Sequence, residues 1–376
     1  MGLTSRFQHN NATDPAPPTG SPAREGPLVM NMSQRPTFGQ WIRATWLDLV
    51  TMVIMGAIGL VVWKAGPAPS RSFPIYFQNG EIVYPQFAYP MRNEIVPIWA
   101  ATVLALVVPI SIFLICQVRV RSFWDLNNAI IGLSYALLTT AIFQVILKWL
   151  IGGFRPHFLT VCKPSVQQGT GNGLGQIMYD RRVCTGDQKE IDDSLESFPS
   201  GHSTAAFSGF VFLSLYLNAK LKVWSNYHPA MWKLIAIYAP ILGATLIAGA
   251  LTIDEYHNWY DCLAGAIIGT VMAFSAYRMV YASIWDWRTN HIPLNRAGPF
   301  NGAGTELKNA VFTRQAGWGV AGRRFGGKQH VADHEQQSGV IANEGHGQGS
   351  SSGPASIRNP WGGSRSYVRN DPENTV

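Results

Sequence analysis

Six stretches of the chain contain no Asp, Glu, Lys or Arg and consist mostly of apolar residues. A helix needs about 20 such residues to cross the hydrocarbon core of a bilayer. The first and last stretches are shorter, but neighbouring apolar residues such as Trp46 and Met279 extend them. The six stretches are Leu49–Trp63, Ile95–Val118, Leu126–Leu147, Ser203–Ala219, Leu234–Ile253 and Cys262–Tyr277.

These runs predict helices rather than strands. Only helices and closed barrels satisfy the backbone in lipid, and barrel strands alternate apolar with polar residues. The other reading, buried helices of a large soluble protein, fits poorly with a charged content of 14%, since soluble domains average about 25%. The predicted fold class is therefore all-α, a polytopic membrane protein with a six transmembrane helix bundle.

The distribution of positive charge predicts the orientation, because cytoplasmic loops are enriched in Lys and Arg. The link between the fifth and sixth segments, Asp254–Asp261, has no basic residue, whereas the second-to-third and fourth-to-fifth links contain Arg119, Arg121, Lys220, Lys222 and Lys233. Both termini are then cytoplasmic, and the remaining loops are lumenal or extracellular. The endoplasmic reticulum, Golgi, vacuole and plasma membrane all fit this topology.

The two ends of the chain have a different composition from the apolar centre. Residues 1–40 and 286–376 are rich in Pro, Gly, Ser, Asn and Gln, which bury too little surface to offset the entropy of ordering. The sequence therefore predicts disordered tails flanking a membrane domain at 41–285. The net charge of +7 is explained by the basic cytoplasmic loops and by a C-terminal tail that is either solvated or attracted to the bilayer surface. It therefore does not predict a nucleic-acid partner.

Two of the four cysteines, Cys162 and Cys184, lie in the long link between the third and fourth segments. A lumenal or extracellular loop is in an oxidising compartment, where disulfides persist. The sequence therefore predicts a disulfide between them. Cys116 and Cys262 fall in or beside apolar segments and are expected to pack as small apolar residues.

The third segment ends in two cations, Lys148 and Arg155, followed by Pro156. Residues seven apart lie on nearly one helical face, although Gly152-Gly153 is expected to end the regular helix before Arg155. An Arg fork matches phosphate oxygens and Lys supplies a point charge. The pair is equally compatible with two cations that extend to the headgroups.

The fourth segment begins at Pro199-Ser200-Gly201-His202. Ser200 is a typical N-cap, Gly201 allows close approach to the backbone, and the free N–H groups of a first helical turn bind anions. His202 would lie beside that anion and is able to donate a proton. The alternative is an ordinary capped helix with an incidental histidine.

The link between the fifth and sixth segments contains His257 and Asp261, four residues apart. Such residues meet on one helical face, where a carboxylate can accept one ring N–H and leave the other nitrogen free to attack. The alternative is an interfacial pair beside Trp259 and Tyr260. In the predicted topology all three motifs lie at the outer interface, which favours one shared phosphate site.

These motifs resemble the type 2 phosphatidic acid phosphatase (PAP2) superfamily, which includes vanadium haloperoxidases. The family pattern Lys-x6-Arg-Pro and Pro-Ser-Gly-His is intact here, and roughly residues 40–285 resemble fungal lipid phosphate and diacylglycerol pyrophosphate phosphatases. The resemblance implies His257 as nucleophile, Asp261 as its orienting carboxylate and His202 as acid. It also implies that the phosphate is bound by Lys148, Arg155, Ser200 and Gly201. Members of the family need no metal or other cofactor, and the resemblance predicts inhibition by vanadate.

The third family motif, Ser-Arg-x5-His-x3-Asp, is incomplete, because Ala250 and Leu251 stand where the family has Ser and Arg. Loss of one preorganised donor to a developing oxyanion costs about 10²–10³ in rate. Candidate substitutes for the missing arginine in the third-to-fourth link are Lys163, Arg181 and Arg182. Two functions follow: an integral membrane phosphatase acting on phosphatidate, diacylglycerol pyrophosphate or a related lipid phosphate, or a catalytically impaired homologue that binds phospholipid or a membrane partner.

Overall fold

A computed structural model of the protein describes residues 35–65, 71–77, 79–225 and 228–296. In these residues the elements are α1 (Phe38–Lys64), β1 (Phe73–Pro74), α2 (Ile98–Val120), α3 (Phe123–Ile151), α4 (Phe158–Cys162), β2 (Met178–Tyr179), α5 (Gln188–Ser194), α6 (Gly201–Leu221), α7 (Met231–Ile253) and α8 (Trp259–Val280). Six of the helices, α1, α2, α3, α6, α7 and α8, are long and apolar enough to cross a membrane. The prediction of a six-helix, all-α membrane protein is confirmed.

Helix α6 lies at the centre of the bundle. It packs against α2, α3, α7 and α8, whereas α1 packs mainly on α3. The core around α6 includes fully buried aromatic side chains such as Phe212, Tyr216 and Tyr277. The apolar faces of the outer helices are exposed in this arrangement, as for Val61, Ile115 and Leu246, which is expected where lipid is the solvent.

Glycines bring α8 unusually close to α6. A Cβ atom on Gly269 would lie 2.5 Å from the carbonyl oxygen of Thr204, and one on Gly265 would lie 2.8 Å from that of Ser200. Small residues allow such backbone contact between membrane helices. The contact sets the first turns of the two helices side by side.

The connections between α1 and α2 and between α3 and α6 form a small folded layer at one end of the bundle. Strands β1 and β2 pair antiparallel, and Phe73 packs edge-on against Phe154 and Phe158. Cys162 and Cys184 form a disulfide, with Cα atoms 4.5 Å apart. This layer holds the segment that carries Arg155 against the start of α6.

The predicted tails at 1–40 and 286–376 lie largely outside the described residues. Where they are described, ordered structure extends into both. Helix α1 begins at Phe38 with a capping box between Thr37 and Gln40. After α8, the side chains of Asn290 and His291 are buried, and the N–H of Leu294 donates to the carbonyl of Val280. The packed part of the chain therefore extends beyond residue 285, at least to Leu294.

Candidate active site

The end of α3 connects the first motif to the second. Helix α3 stops at Ile151, and the positive φ angles of Gly152 (60°) and Gly153 (120°) turn the chain away from the helix axis. Their carbonyls accept hydrogen bonds from the N–H groups of Phe198 and Ser197, at 3.0 and 3.1 Å. The expectation that the glycine pair ends the helix is confirmed, and the turn places Arg155 beside the start of α6.

Arg155 is buried, with 3% of its surface exposed. Its Nη2 donates to Asp193 at 2.8 Å, and its guanidinium lies 4.0 Å from the ring centre of Tyr256. Its Nε and Nη1 have no hydrogen-bond partner among the described residues. Because native proteins pair nearly all buried polar groups, two unpaired guanidinium nitrogens at this position indicate a ligand site.

Both cations of the first motif have carboxylate partners that the sequence reasoning missed. Lys148 Nζ lies 3.6 Å from Glu196 Oε2, and Arg155 pairs with Asp193. Asp193 lies in α5 and Glu196 lies between α5 and α6. The signal available in the sequence was the acidic run from Glu190 to Glu196, immediately before Pro199.

The second motif forms the N-terminus of α6 as predicted. Ser200 is the N-cap, and its Oγ accepts from the N–H of Ser203 at 3.5 Å. The N–H of Ser200 donates to the carbonyl of Asp261 at 3.1 Å, which joins this helix start to α8. Gly201 is the first helical residue, and a Cβ there would meet Gln144 at an ordinary contact distance of 3.4 Å.

His202 is buried in the first turn of α6, and neither ring nitrogen has a hydrogen-bond partner among the described residues. It has a charged neighbour in Glu94, whose Oε1 lies 3.7 Å from His202 Nε2. Glu94 comes from the segment before α2, and the sequence analysis did not identify it. The His202 ring faces the ring of His257, with a centroid separation of 6.1 Å.

The relation between His257 and Asp261 differs from the one predicted. His257 precedes α8, which begins at Trp259, so the two residues do not share a helical face. Asp261 Oδ2 lies 3.8 Å from His257 Nδ1, which is longer than a hydrogen bond. That oxygen instead accepts from the backbone N–H and side-chain amide of Asn258, at 3.0 and 3.1 Å.

Ser197 bridges the histidine and the carboxylate. Its Oγ donates to Asp261 Oδ2 at 2.5 Å and lies 3.5 Å from His257 Nδ1. All three side chains are buried. Sequence reasoning missed Ser197, because a serine two residues before Pro199 has no spacing that relates it to His257, 60 residues later.

The environment keeps His257 neutral. Burial is the largest effect, and together with the positive charges of Arg155 and Lys148 it lowers the pKa of His257 to about 4 against the opposing effect of Asp261. At neutral pH the ring therefore has an unprotonated nitrogen, which is the nucleophilic form.

Leu251 does not contribute a polar group to the site. Its side chain is fully buried and packs with Ala248, Cys262 and Phe207. Its carbonyl accepts the N–H groups of Tyr256 and His257, both at 3.1 Å, so the position supports the His257 loop through its backbone. Of the predicted substitute cations, Arg181 pairs with Asp192 and the side chain of Arg182 is 90% exposed.

An apolar cavity of about 270 Å³ opens beside the site. It lies between α1, α2, α3 and α6, and its wall includes Trp63, Leu137 and Val145 together with Lys148 and Gly201. The cavity therefore joins the membrane-facing part of the bundle to the cationic end of α3. Within the described part of the chain, no three His, Cys, Asp or Glu side chains are grouped to hold a metal ion.

The chain matches known proteins over the region that forms this site. The family model described as the PAP2 superfamily matches residues 129–285. The chain is 35% identical over 212 residues to lipid phosphate phosphatase 1 of Arabidopsis thaliana. This alignment covers 55% of this chain and 62% of that protein. It is 34% identical over 255 residues to a PA-phosphatase related-family protein of Dictyostelium discoideum, which covers 66% of this chain and 72% of that protein.

A fungal relative is also similar. Diacylglycerol pyrophosphate phosphatase 1 of Saccharomyces cerevisiae is 34% identical over 162 residues, which covers 43% of this chain and 54% of that protein. No solved structure matches the chain. Because the family model spans α3 to α8 and the Dictyostelium relative extends the likeness over most of its own length, the chain belongs to the PAP2 superfamily.

Proposed function

We propose that the protein is an integral membrane lipid phosphate phosphatase that hydrolyses phosphatidate, diacylglycerol pyrophosphate or a related lipid phosphate. The observation that carries this proposal is the pair of buried histidines that face each other at 6.1 Å beside the unpaired N–H groups of Arg155. The names of the Arabidopsis and Saccharomyces relatives support the same reaction class.

In the first step, the neutral His257 ring nitrogen attacks phosphorus, and the bond from phosphorus to the leaving oxygen breaks. The electron pair stays on that oxygen, which takes a proton from His202. Arg155, Lys148 and the first-turn N–H groups at Ser200 and Gly201 bind the phosphoryl oxygens, where negative charge is greatest in the transition state. Ser197 and Asp261 hold the His257 ring in place.

In the second step, water attacks the phosphohistidine. His202, now neutral, accepts a proton from that water, and the P–N bond to His257 breaks to release phosphate. His202 donates the proton of the first step and accepts the proton that water loses in the second, so the proposed reaction is metal-independent and requires no cofactor.

The lipid nature of the substrate is supported by the apolar cavity beside Lys148 and Gly201. An acyl chain in this cavity would leave its phosphate at the cationic end of α3. The phospholipid and the bilayer are the partners that this arrangement requires.

We place the site on the lumenal or extracellular side, with both termini cytoplasmic, in the endoplasmic reticulum, Golgi, vacuole or plasma membrane. The disulfide between Cys162 and Cys184, in the layer that covers the site, supports an oxidising compartment. The catalytic domain is the region 41–285, together with the residues packed on it at least to Leu294, between the two tails.

Phosphate release from phosphatidate by the detergent-purified protein in EDTA tests the proposal. We expect the native protein to be active and inhibited by vanadate, and His202→Ala and His257→Ala to lose at least about 10²-fold in kcat, in line with the loss of an acid or a nucleophile. The matched control is His228→Ala, because His228 is exposed in the link between α6 and α7. Activity that survives His257→Ala would contradict the mechanism.

A second candidate function is a homologue that binds phospholipid without turnover. The buried, apolar environment of Leu251 favours it, because no side-chain donor comes from that position. In the same assay, a silent native protein that becomes active as Leu251→Arg would support this alternative.

A further inference from the structure

The segment that precedes α2 crosses the outer end of the site and is attached to the link between α7 and α8. Arg92 Nε lies 3.3 Å from Glu255 Oε2, and Arg92 Nη1 donates to the carbonyl of Ile253 at 3.3 Å. The N–H of Ile95 donates to Asp254 Oδ2 at 3.1 Å. Contacts on both sides of Glu94 therefore set the position of its carboxylate.

Glu94 directs its carboxylate at His202. Its Oε1 lies 3.7 Å from His202 Nε2, and its side chain is 21% exposed. Burial raises the pKa of Glu94, but attraction to His202 and Arg155 outweighs this effect and the repulsion from Asp193, so the net shift is downward. Glu94 is therefore an anion at neutral pH, and it faces the group that protonates the leaving oxygen.

We propose that Glu94 is a specificity-determining residue that makes the site select lipid phosphate monoesters over lipid pyrophosphates. The inference rests on the proposed function. It concerns the leaving group, because the oxygen that receives the proton of His202 lies next to the imidazole ring, and the carboxylate of Glu94 is 3.7 Å from that ring.

The two substrate classes differ in the charge of that leaving group. Cleavage of a monoester breaks the bond from phosphorus to the glycerol oxygen, and the proton of His202 makes the leaving group a neutral alcohol. Cleavage of a pyrophosphate releases a phosphate monoester, which keeps negative charge after it has been protonated. Like charges in a partly buried site repel, and such repulsion is a common source of specificity.

The experiment measures kcat/KM for phosphatidate and for diacylglycerol pyrophosphate with the full-length protein in detergent. We expect Glu94→Gln to shift the ratio toward the pyrophosphate by about tenfold or more, since loss of a like-charge contact is a change of that order. The control is Glu81→Gln, which removes the same charge from an exposed residue of the same loop. An unchanged ratio in Glu94→Gln, with both lipids hydrolysed, would overturn the inference.

A binding measurement separates this inference from the proposed function. Inorganic phosphate and inorganic pyrophosphate serve as the probes, with calorimetric titration of each protein. We expect Glu94→Gln to strengthen pyrophosphate binding more than phosphate binding. If no lipid is hydrolysed but this difference appears, the proposed function fails and the role of Glu94 in charge selection stands. If the two anions respond equally, the inference fails.

Discussion

At the scale of single residues, the candidate site is a set of polar contacts around two histidines. His257 is near Ser197 and Asp261, and His202 is near Glu94. Arg155 is held by Asp193 and by the ring of Tyr256. Each group expected to act on phosphate is therefore positioned by a neighbour from a different part of the chain.

The hydroxyl of Ser197 gives a prediction at this scale. Ser197→Ala removes the group that links Asp261 to His257, so the imidazole loses an oriented neighbour. We expect kcat to fall by about 10–100-fold with little change in KM, the usual cost of losing an outer support of a reactive histidine. Steady-state kinetics with phosphatidate measures this change.

The control is Ser214→Ala. Ser214 is also buried and donates to a backbone carbonyl, that of Ile237, within the bundle. The Ser214→Ala variant should lose some stability and keep the kcat of the native protein. If the two variants had the same kcat, Ser197 would have only a structural role.

At the scale of elements, the contact between α6 and α8 brings the two halves of the site together. The N–H of Ser200 at the start of α6 bonds the carbonyl of Asp261 in α8, and Ser203 Oγ donates to the carbonyl of Cys262 at 2.6 Å. The glycines of α8 permit this approach. The distance between His202 and His257 therefore depends on helix packing.

Gly269→Ala tests that dependence. A Cβ at Gly269 would lie 2.5 Å from Thr204 O and 2.8 Å from Ser208 N, so α8 must move away from α6. We expect a loss of about 1–3 kcal/mol in the free energy of unfolding, typical of overpacking, together with a lower kcat. Thermal denaturation in detergent and the phosphatase assay measure the two effects.

Gly249→Ala in α7 is the matched control, because its Cβ would have no atom within 4 Å. It should keep both stability and activity. Equal behaviour of the two alanine variants would mean that α8 tolerates the methyl group without moving.

At the scale of the whole molecule, the bundle has a second polar cluster, formed where α3 begins and α6 ends. Asp125 is fully buried and accepts from Lys220 Nζ at 2.5 Å, Tyr216 at 2.9 Å and Tyr281 at 3.0 Å. Gln117 of α2 also donates to it, at 2.9 Å. One carboxylate thus joins α2, α3, α6 and the segment after α8.

Asp125→Asn is expected to destabilise the whole bundle. It removes the negative charge that compensates the buried ammonium of Lys220, and breaking a buried ion pair costs about 3–5 kcal/mol. Thermal denaturation in detergent measures the change. Arg182→Ala, which removes an exposed pair with Asp180, is the control and should stay within about 1 kcal/mol.

A substitution in this cluster should change the stability of the protein without changing its catalytic parameters. Because Asp125 is at the beginning of α3 and the site is at its end, residual folded Asp125→Asn protein should keep the KM of the native protein. A changed KM with unchanged stability would contradict a purely structural role.

Apolar runs and short motifs are enough to predict the membrane architecture and the candidate side chains of the site. Uncharged apolar runs decide the six spanning helices because lipid cannot solvate charge or free backbone. Local signals also predict the Gly152 helix end and the Ser200 cap, since each depends on a few consecutive residues, and both are present in the structure. The same short motifs contain the candidate site residues.

How these residues contact one another depends on the packing of the whole bundle. It placed Asp261 in the capping box of α8 rather than in direct contact with His257, and it brought Ser197 and Glu94 to the two histidines. It also placed Leu251 in an apolar pocket where its backbone, not its side chain, supports the site. Helix packing and hydrogen bonds between distant segments create these contacts. The spacing of residues along the chain does not predict them.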